Sequence, residues 1–490
     1  MPRWLTRIQA IGFGIVLLLL IEAGFHILGF GIKDPGNDPF VGFSGLEPLF
    51  GFDPATNRYK VRGEQTKFFC DTSFPRVKEQ DTFRIFVFGG STVQGRPYSI
   101  ETAFPEWLRI NLQLAFPGKN FEVVNCGGIS YASYRLVPIV QECLTYDPDL
   151  FILCTGQNEF LEARTYGSIK LIAKPMGGVV KGVRNLATYQ ALNTAYIKLI
   201  NPEAAHASNT KSIMKGEVDA FLDYQRGLEA YHRDDTWKEG VIAHFQENIR
   251  RIDATSRKAD IPLVIFNPPV NLKDTPPFKS EHSSKLSEQQ KEAYSSLLAQ
   301  ASRYFQTDLK KAVQLLEQAV ALDPEYAMTH YSLGHCYLRL FEFSKANQSF
   351  SRALVEDVCP LRMLPSMRSF VNDYCEENQI VHIDLQPLLK EYSEEPVIGN
   401  GILIDHVHPT IRGNQVIALA ATDLLLGEFL GKPKTEGWAS HRESAYKAHM
   451  ETLPPLYYAH GNYRLETLNK WTKGETDGPP IETHRTIDPR

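Results

Sequence analysis

A serine stands directly after two glycines in "FRIFVFGGSTVQGRPY" (residues 83–98), where an apolar run that reads as a strand gives way to a turn. Three readings compete for that spot: a nucleophilic hydroxyl on Ser91, a phosphate cradle formed by Gly89 and Gly90, or a turn with no chemistry. A phosphate loop needs G-x-x-x-x-G-K-[ST] or G-x-G-x-x-G after its strand, and "GGSTVQG" has neither. Far along the chain, "DHVHP" sets Asp405 three residues before His408. A serine hydroxyl is a poor nucleophile until a base removes its proton, and an imidazole oriented by a carboxylate is such a base. His406 and His408 beside Asp405 also resemble part of a metal-ligand set, but no further His/Cys cluster supports a closed site.

The elements that must position these groups are short β-rich runs: "FRIFVFG" (83–89), "FEVVN" (121–125), "DLFILCT" (149–155), "IPLVIFN" (261–267) and "IVHIDL" (380–385). Between and after them lie amphipathic segments such as "AFPEWLRINLQLAF", "GVIAHFQENIRRIDATSRKA" and "IRGNQVIALAATDLLLGEFL". Strands alternating with helices predict an α/β domain whose parallel sheet is covered on both faces. Such sheets place their ligand sites at the carboxyl ends of the strands, which is where Ser91 falls.

"NCGGIS" after the second strand, "GQNEF" after the third and "DHVHP" before the last helix complete a set with "GGST". Together they resemble the four sequence blocks of the SGNH (GDSL-like) hydrolase family, over about residues 83–160, 260–270 and 380–430. Ser91 matches the G-D-S block, Asn158 the G-x-N-D block, and Asp405 with His408 the D-x-x-H-P block. The resemblance implies a three-layer flavodoxin-like core and a triad of Ser91, His408 and Asp405. It also implies an oxyanion hole made by the N–H groups of Ser91 and Ser130 with the Asn158 amide. Gly90 replaces the usual Asp before the nucleophile, Glu159 the Asp after the asparagine, and Ser130 the oxyanion glycine; a shifted loop would use Gly128 instead.

Residues 276–358 break the strand-helix rhythm. Ala312, Leu316 and Ala319 recur 34 residues later as Ala346, Phe350 and Ala353, with Leu333, Gly334 and Tyr337 between. The segment resembles tetratricopeptide helical hairpins, which predicts an α-helical insertion that either docks a protein partner or walls the active site. Secondary candidates for substrate contact are Arg96 and Tyr98 after the nucleophile and Arg164 and Tyr166 after the third block, the alternative being solvated loop side chains. Asn271 and Arg362 flank the insertion as further cleft candidates.

At the N-terminus, Arg3 and Arg7 precede a run over residues 8–32 that is apolar except for Glu22 and His26. Its length suits a bilayer-spanning helix, and the charge bias predicts a cytoplasmic N-terminus with the bulk of the chain outside. The organisation expected is therefore a signal-anchor at 1–32, an extension at 33–80, the core at 81–275 and 359–430, the insertion at 276–358 and a C-terminal extension at 431–490. A net charge of −5 with mixed signs offers no basic stripe for nucleic acid. Seven cysteines without C-x-x-C spacing read as core residues, with one disulfide open to an exported chain.

These readings converge on an ester hydrolase without metal or organic cofactor, removing a small acyl group from an exported glycan or lipid. An acyltransferase using the same serine, or a binding scaffold carried by the repeats, are the alternatives.

Overall fold

The computed structural model describes residues 20–21, 23–24, 38, 40–166, 212–394, 396–435 and 437–475. They fall in two compact units, one built from 1–44 with 164–214 and the other from 45–163 with 215–490. Val41–Ser44 and Ser212–Lys215 form a two-stranded sheet. The expected membrane span at 8–32 lies almost wholly outside the described residues, and among those described no helix is long and apolar enough to cross a membrane.

The larger unit is organised by a five-stranded sheet of β1 (Thr82–Gly89), β2 (Asn120–Gly127), β3 (Leu150–Cys154), β4 (Leu263–Asn267) and β5 (Val381–Asp384). All neighbouring pairs are parallel and the order is 2-1-3-4-5, the doubly wound order of flavodoxin-like folds. Each strand coincides with one of the apolar runs read from the sequence. In β3 and β4 every residue is buried, the pattern of strands covered on both faces.

Five helices cover the sheet: α1 (Phe104–Ala115), α2 (Ser133–Cys143), α3 (Asp235–Lys258), α4 (Pro365–Asn378) and α5 (Ile411–Leu425). Alternation along the strands turns Ile85, Val87, Ile152, Cys154, Val264 and Phe266 toward α1 and α5, where they bury with Phe104, Trp107, Leu108, Val416 and Ile417. The opposite face carries Phe86, Phe88, Phe151, Leu153 and Ile265, all buried beneath α2, α3 and α4. The strand-helix-strand units thereby wrap both sides of the sheet, which gives the three layers.

Register sets the height of the site. Gly89 is level with Gly127 on one side and with Cys154 on the other, so the loops after β1, β2 and β3 leave the sheet together. A Cβ on Gly127 would lie 2.3 Å from the Gln94 nitrogen, so the glycine is what lets the turn after β1 press onto the end of β2.

Four helices fill the insertion: Glu288–Tyr304, Leu309–Leu322, Ala327–Arg339 and Phe343–Glu356. Its repeating positions Ala312, Leu316, Ala319, Ala346, Phe350 and Ala353 are all buried, and Gly334 admits the Phe350 ring, which a Cβ would meet at 2.6 Å. Its base is tied down by the Tyr331 hydroxyl donating to the Lys273 carbonyl (2.6 Å) and by Arg233 donating to the Glu356 carboxylate (2.8 Å). After residue 430, helices Trp438–Glu451 and Pro455–Trp471 pack beside the core: Tyr446 sets its ring 4.6 Å from that of Trp107 and donates to Asn111 (2.8 Å). All seven cysteines are free thiols, and six are buried.

Candidate active site

Ser91 is the first residue of a four-residue helical turn, Ser91–Gln94, that begins where β1 ends. The turn is clamped by its neighbours. Asn125 donates to the Val93 carbonyl (2.8 Å), Gln157 to the Thr92 hydroxyl (3.0 Å), and Gln94 to the Phe68 carbonyl (2.8 Å). Gly95 closes it at a φ of 99°, with the Ser99 carbonyl where a Cβ would stand.

The loop before α5 brings the base to this serine. His408 Nε2 lies 2.7 Å from Ser91 Oγ, and His408 Nδ1 lies 2.7 Å from Asp405 Oδ2. Asp405 Oδ1 accepts the N–H groups of Val407 (2.9 Å) and His408 (2.8 Å), so the carboxylate winds its own loop around itself. Burial alone would raise the Asp405 carboxyl, but the neighbouring His408 and His406 rings and the bonds from His408 hold it well below the usual carboxylate range. An ionised Asp405 then accepts from Nδ1–H, leaving the Nε2 lone pair toward Ser91.

On the other side of Ser91 lie candidate donors for a developing oxyanion. Ser130 holds the left-handed conformation with φ 60°, the kind of backbone for which a glycine is the undemanding residue. Gly128, Ile129 and Tyr131 spend their N–H groups on the carbonyls of Gly89, Phe68 and Gly128, whereas the Ser130 N–H has no protein acceptor among the described residues. The N–H of Gly128, the alternative donor, is thus already bonded within the chain. Asn158 gives one amide hydrogen to the Tyr131 carbonyl (3.0 Å), which leaves the other available. A Cβ at Gly90 would lie 2.6 Å from that amide nitrogen, so the unexpected glycine before the nucleophile makes room for Asn158. Glu159, buried, accepts the Ser133 N–H (2.8 Å) and hydroxyl (3.0 Å) and ties the Asn158 loop to the start of α2, just past Ser130.

Ser91, Ser130, Asn158 and His408 line one pocket, together with Arg96, Ile129, His406 and Val407. Arg464, Leu468 and Trp471 from the helix Pro455–Trp471 form the remaining wall. Nothing in the sequence motifs pointed to these three.

The other expected contacts are placed elsewhere. Tyr98 is not on the pocket wall: its ring stacks on Tyr457 (5.9 Å, 14°) and fills the space beside Gly461. Asn271 and Arg362 are not cleft residues either but a buried brace for the base-bearing loop. Asn271 donates to the Asp405 carbonyl (3.0 Å) and, through its N–H, to that of His406 (2.9 Å), while Arg362 donates to the Asn271 carbonyl (2.9 Å). Arg164 and Tyr166 belong to the smaller unit, where the guanidinium lies 5.7 Å over the ring, and form no part of this pocket.

No family model matches the chain, and no curated protein does. Among solved structures, a G-D-S-L family lipolytic protein from Desulfitobacterium hafniense DCB-2 is similar over 70% of this chain and 99% of its own, at 12% identity and a TM-score of 0.31. A variant of an acetyl-xylooligosaccharide esterase from Geobacillus Stearmophilus matches at 11% identity over 72% and 98%, with a TM-score of 0.30. A GDSL-like lipase from Bacteroides thetaiotaomicron VPI-5482 matches at 10% identity over 72% and 92%, also at 0.30. Overlaps this shallow carry no weight for function, which rests on the geometry above.

His406 packs its ring edge-to-face on Phe278 (5.3 Å), and burial pushes its imidazole down to about 4 despite the nearby Asp405. The folded state therefore refuses a proton that the unfolded chain accepts near 6.5, so stability falls as pH drops from about 6.5 to about 4. The depressed Asp405 acts in the same direction at lower pH. Unfolding free energies from urea titrations across this range should fall by on the order of 3 kcal/mol from His406, and His406→Phe should flatten that segment; an equal slope in the variant would contradict the assignment.

Proposed function

We propose that this chain is a serine ester hydrolase of the SGNH type, working through an acyl-Ser91 intermediate on a small acyl group carried by an exported glycan or lipid. The observation that carries the reading is the continuous chain Asp405–His408–Ser91, with 2.7 Å at both links, opening into a pocket that also holds Ser130 and Asn158. His408 takes the hydroxyl proton as Oγ attacks the ester carbonyl. The carbonyl electron pair moves onto oxygen and meets the N–H groups of Ser91 and Ser130 and the Asn158 amide. Collapse breaks the bond to the alcohol, which leaves with the proton from His408. Water then repeats the sequence on the acyl-serine, releasing the acid and restoring Ser91. A sugar hydroxyl in place of that water would give acyl transfer by the same steps.

Ser91→Ala and His408→Ala should abolish ester cleavage while leaving the fold unchanged by circular dichroism. Asn158→Ala should keep labelling by a serine-directed phosphonate but slow turnover by about 10²-fold to 10³-fold. Cleavage undiminished in purified Ser91→Ala protein would end the reading.

The basic residues ahead of the apolar run at 8–32 support a membrane-anchored chain with its bulk outside. Protease added to intact spheroplasts should then digest the C-terminal region; full protection would refute this topology. The buried 34-residue spacing in the insertion supports a tetratricopeptide-like surface for a partner or substrate. Replacing 290–356 by a short linker should raise KM for the natural substrate and spare a small artificial ester, whereas loss of folding would assign the segment to packing alone.

A further inference from the structure

We propose that the turns at one end of the helical insertion, led by Phe341, form a membrane contact of their own, seated in a lipid surface that carries anionic headgroups. The choice of a bilayer as occupant draws on the membrane-anchor reading above.

Two turns of the insertion lie together. Arg339 donates to the Phe305 carbonyl and to Gln306 Oε1 (3.3 Å), which joins the turn after Ala327–Arg339 to the turn after Glu288–Tyr304. The bonds that hold the insertion to the rest of its unit, at Tyr331 and Glu356, are near the other ends of their helices. With 13 residues in Ala327–Arg339, the joined turns stand about 20 Å from that base.

Phe341 occupies a backbone position suited to glycine. Ala327–Arg339 ends in a Schellman turn, in which the Glu342 N–H donates to the Tyr337 carbonyl (2.9 Å) and the Phe341 N–H to that of Leu338 (3.1 Å). This puts Phe341 in the left-handed region at φ 61°, where a bulky side chain is disfavoured. Packing could hold it there, but Phe341 is 79% exposed, more than any other large apolar residue described. Its ring meets that of Phe343 edge-to-face at 6.1 Å, and Phe343 is also exposed. Tyr304 adds a third exposed ring on the adjoining turn. The core makes no use of these rings, which leaves them to a surface outside the chain.

The charges around them indicate which surface. Segments 303–311 and 339–345 hold five basic residues, Arg303, Lys310, Lys311, Arg339 and Lys345, against the acidic Asp308 and Glu342. Glu342 pairs with Lys345 (2.6 Å), and Asp308 caps its own helix by accepting the Lys311 N–H (3.0 Å). The side chains of Arg303, Lys310 and Lys311 have no ion-pair partner among the described residues. Aromatic rings suit the boundary between headgroups and acyl chains, and cations beside them suit lipid phosphates. The chain also carries an apolar run of spanning length at 8–32, which brings a bilayer within reach.

The test uses the full chain with p-benzoylphenylalanine in place of Phe341, reconstituted into vesicles of phosphatidylglycerol and phosphatidylcholine that contain radiolabelled lipid. On illumination, lipid should attach at position 341 with roughly fivefold or more the yield seen when the photolabel replaces Val77, another well-exposed apolar residue. Combining Arg303→Gln with Lys310→Gln, or using phosphatidylcholine alone, should cut that yield severalfold. Phe341→Gly should leave the thermal midpoint unchanged or raise it. A lowered midpoint would assign the ring to packing and overturn the proposal. So would crosslinks from 341 to protein alone, whether another chain or a second copy, a yield no higher than at Val77, or a yield indifferent to headgroup charge. Alkaline carbonate separates the two readings: a chain that washes off the vesicles lacks the anchor, while lipid attached at 341 would still uphold the contact.

Discussion

A carboxylate removed from water stays charged only if donors surround it, and Asp405 imposes that demand on everything near Ser91. Its two oxygens take the His408 ring and two backbone N–H groups, so the residues from 405 to 408 have one shape available to them. The loop is closed by Ile404 donating to the His408 carbonyl (2.8 Å) and braced from behind by Asn271. Arg362 extends the brace to Asp357, at the foot of the helical insertion. The reactive groups thus stand at one end of a buried polar chain, each member satisfying the next, and the imidazole reaches the serine already oriented.

Around that chain the sheet supplies level ground. Because Gly89, Gly127 and Cys154 are in register, three loops from three strands arrive at the same height, and small changes in each decide what faces Ser91. Gly90 yields its side-chain volume to the Asn158 amide, and Ser130 takes a conformation more natural to glycine while keeping its N–H uncommitted. The departures from the expected blocks are local exchanges of this kind, and the polar geometry survives them.

Much of this was legible in the sequence, and physics explains which parts. β3 and β4 are buried at every position and β1 at all but one, so they appear as largely apolar runs. By contrast Phe50–Asp53, Arg58–Val61 and Ser73–Pro75 form a small antiparallel sheet that passed unread, since each is three or four residues long and only partly buried. Ser91, Asp405 and His408 could be picked out because the chemistry read for them calls for particular residue types: a serine at a strand end and an imidazole three residues after a carboxylate. Asn271 and Arg362 were placed near the site correctly but on the wrong side of it: proximity along the chain does not say whether a polar side chain faces solvent or a buried carbonyl. Arg464 and Trp471 had no signal, since helical periodicity announces that a face will be buried but not against what; only the fit of Gly461 to Tyr98 shows the partner.

The pocket wall contributed by Pro455–Trp471 gives the site an order in time. Every group of the triad has been synthesised by residue 408, whereas Arg464, Leu468 and Trp471 emerge later. A growing chain thus carries the residues that meet at Ser91 before it carries this wall. The pocket is bounded on this side only once the chain has been made through residue 471.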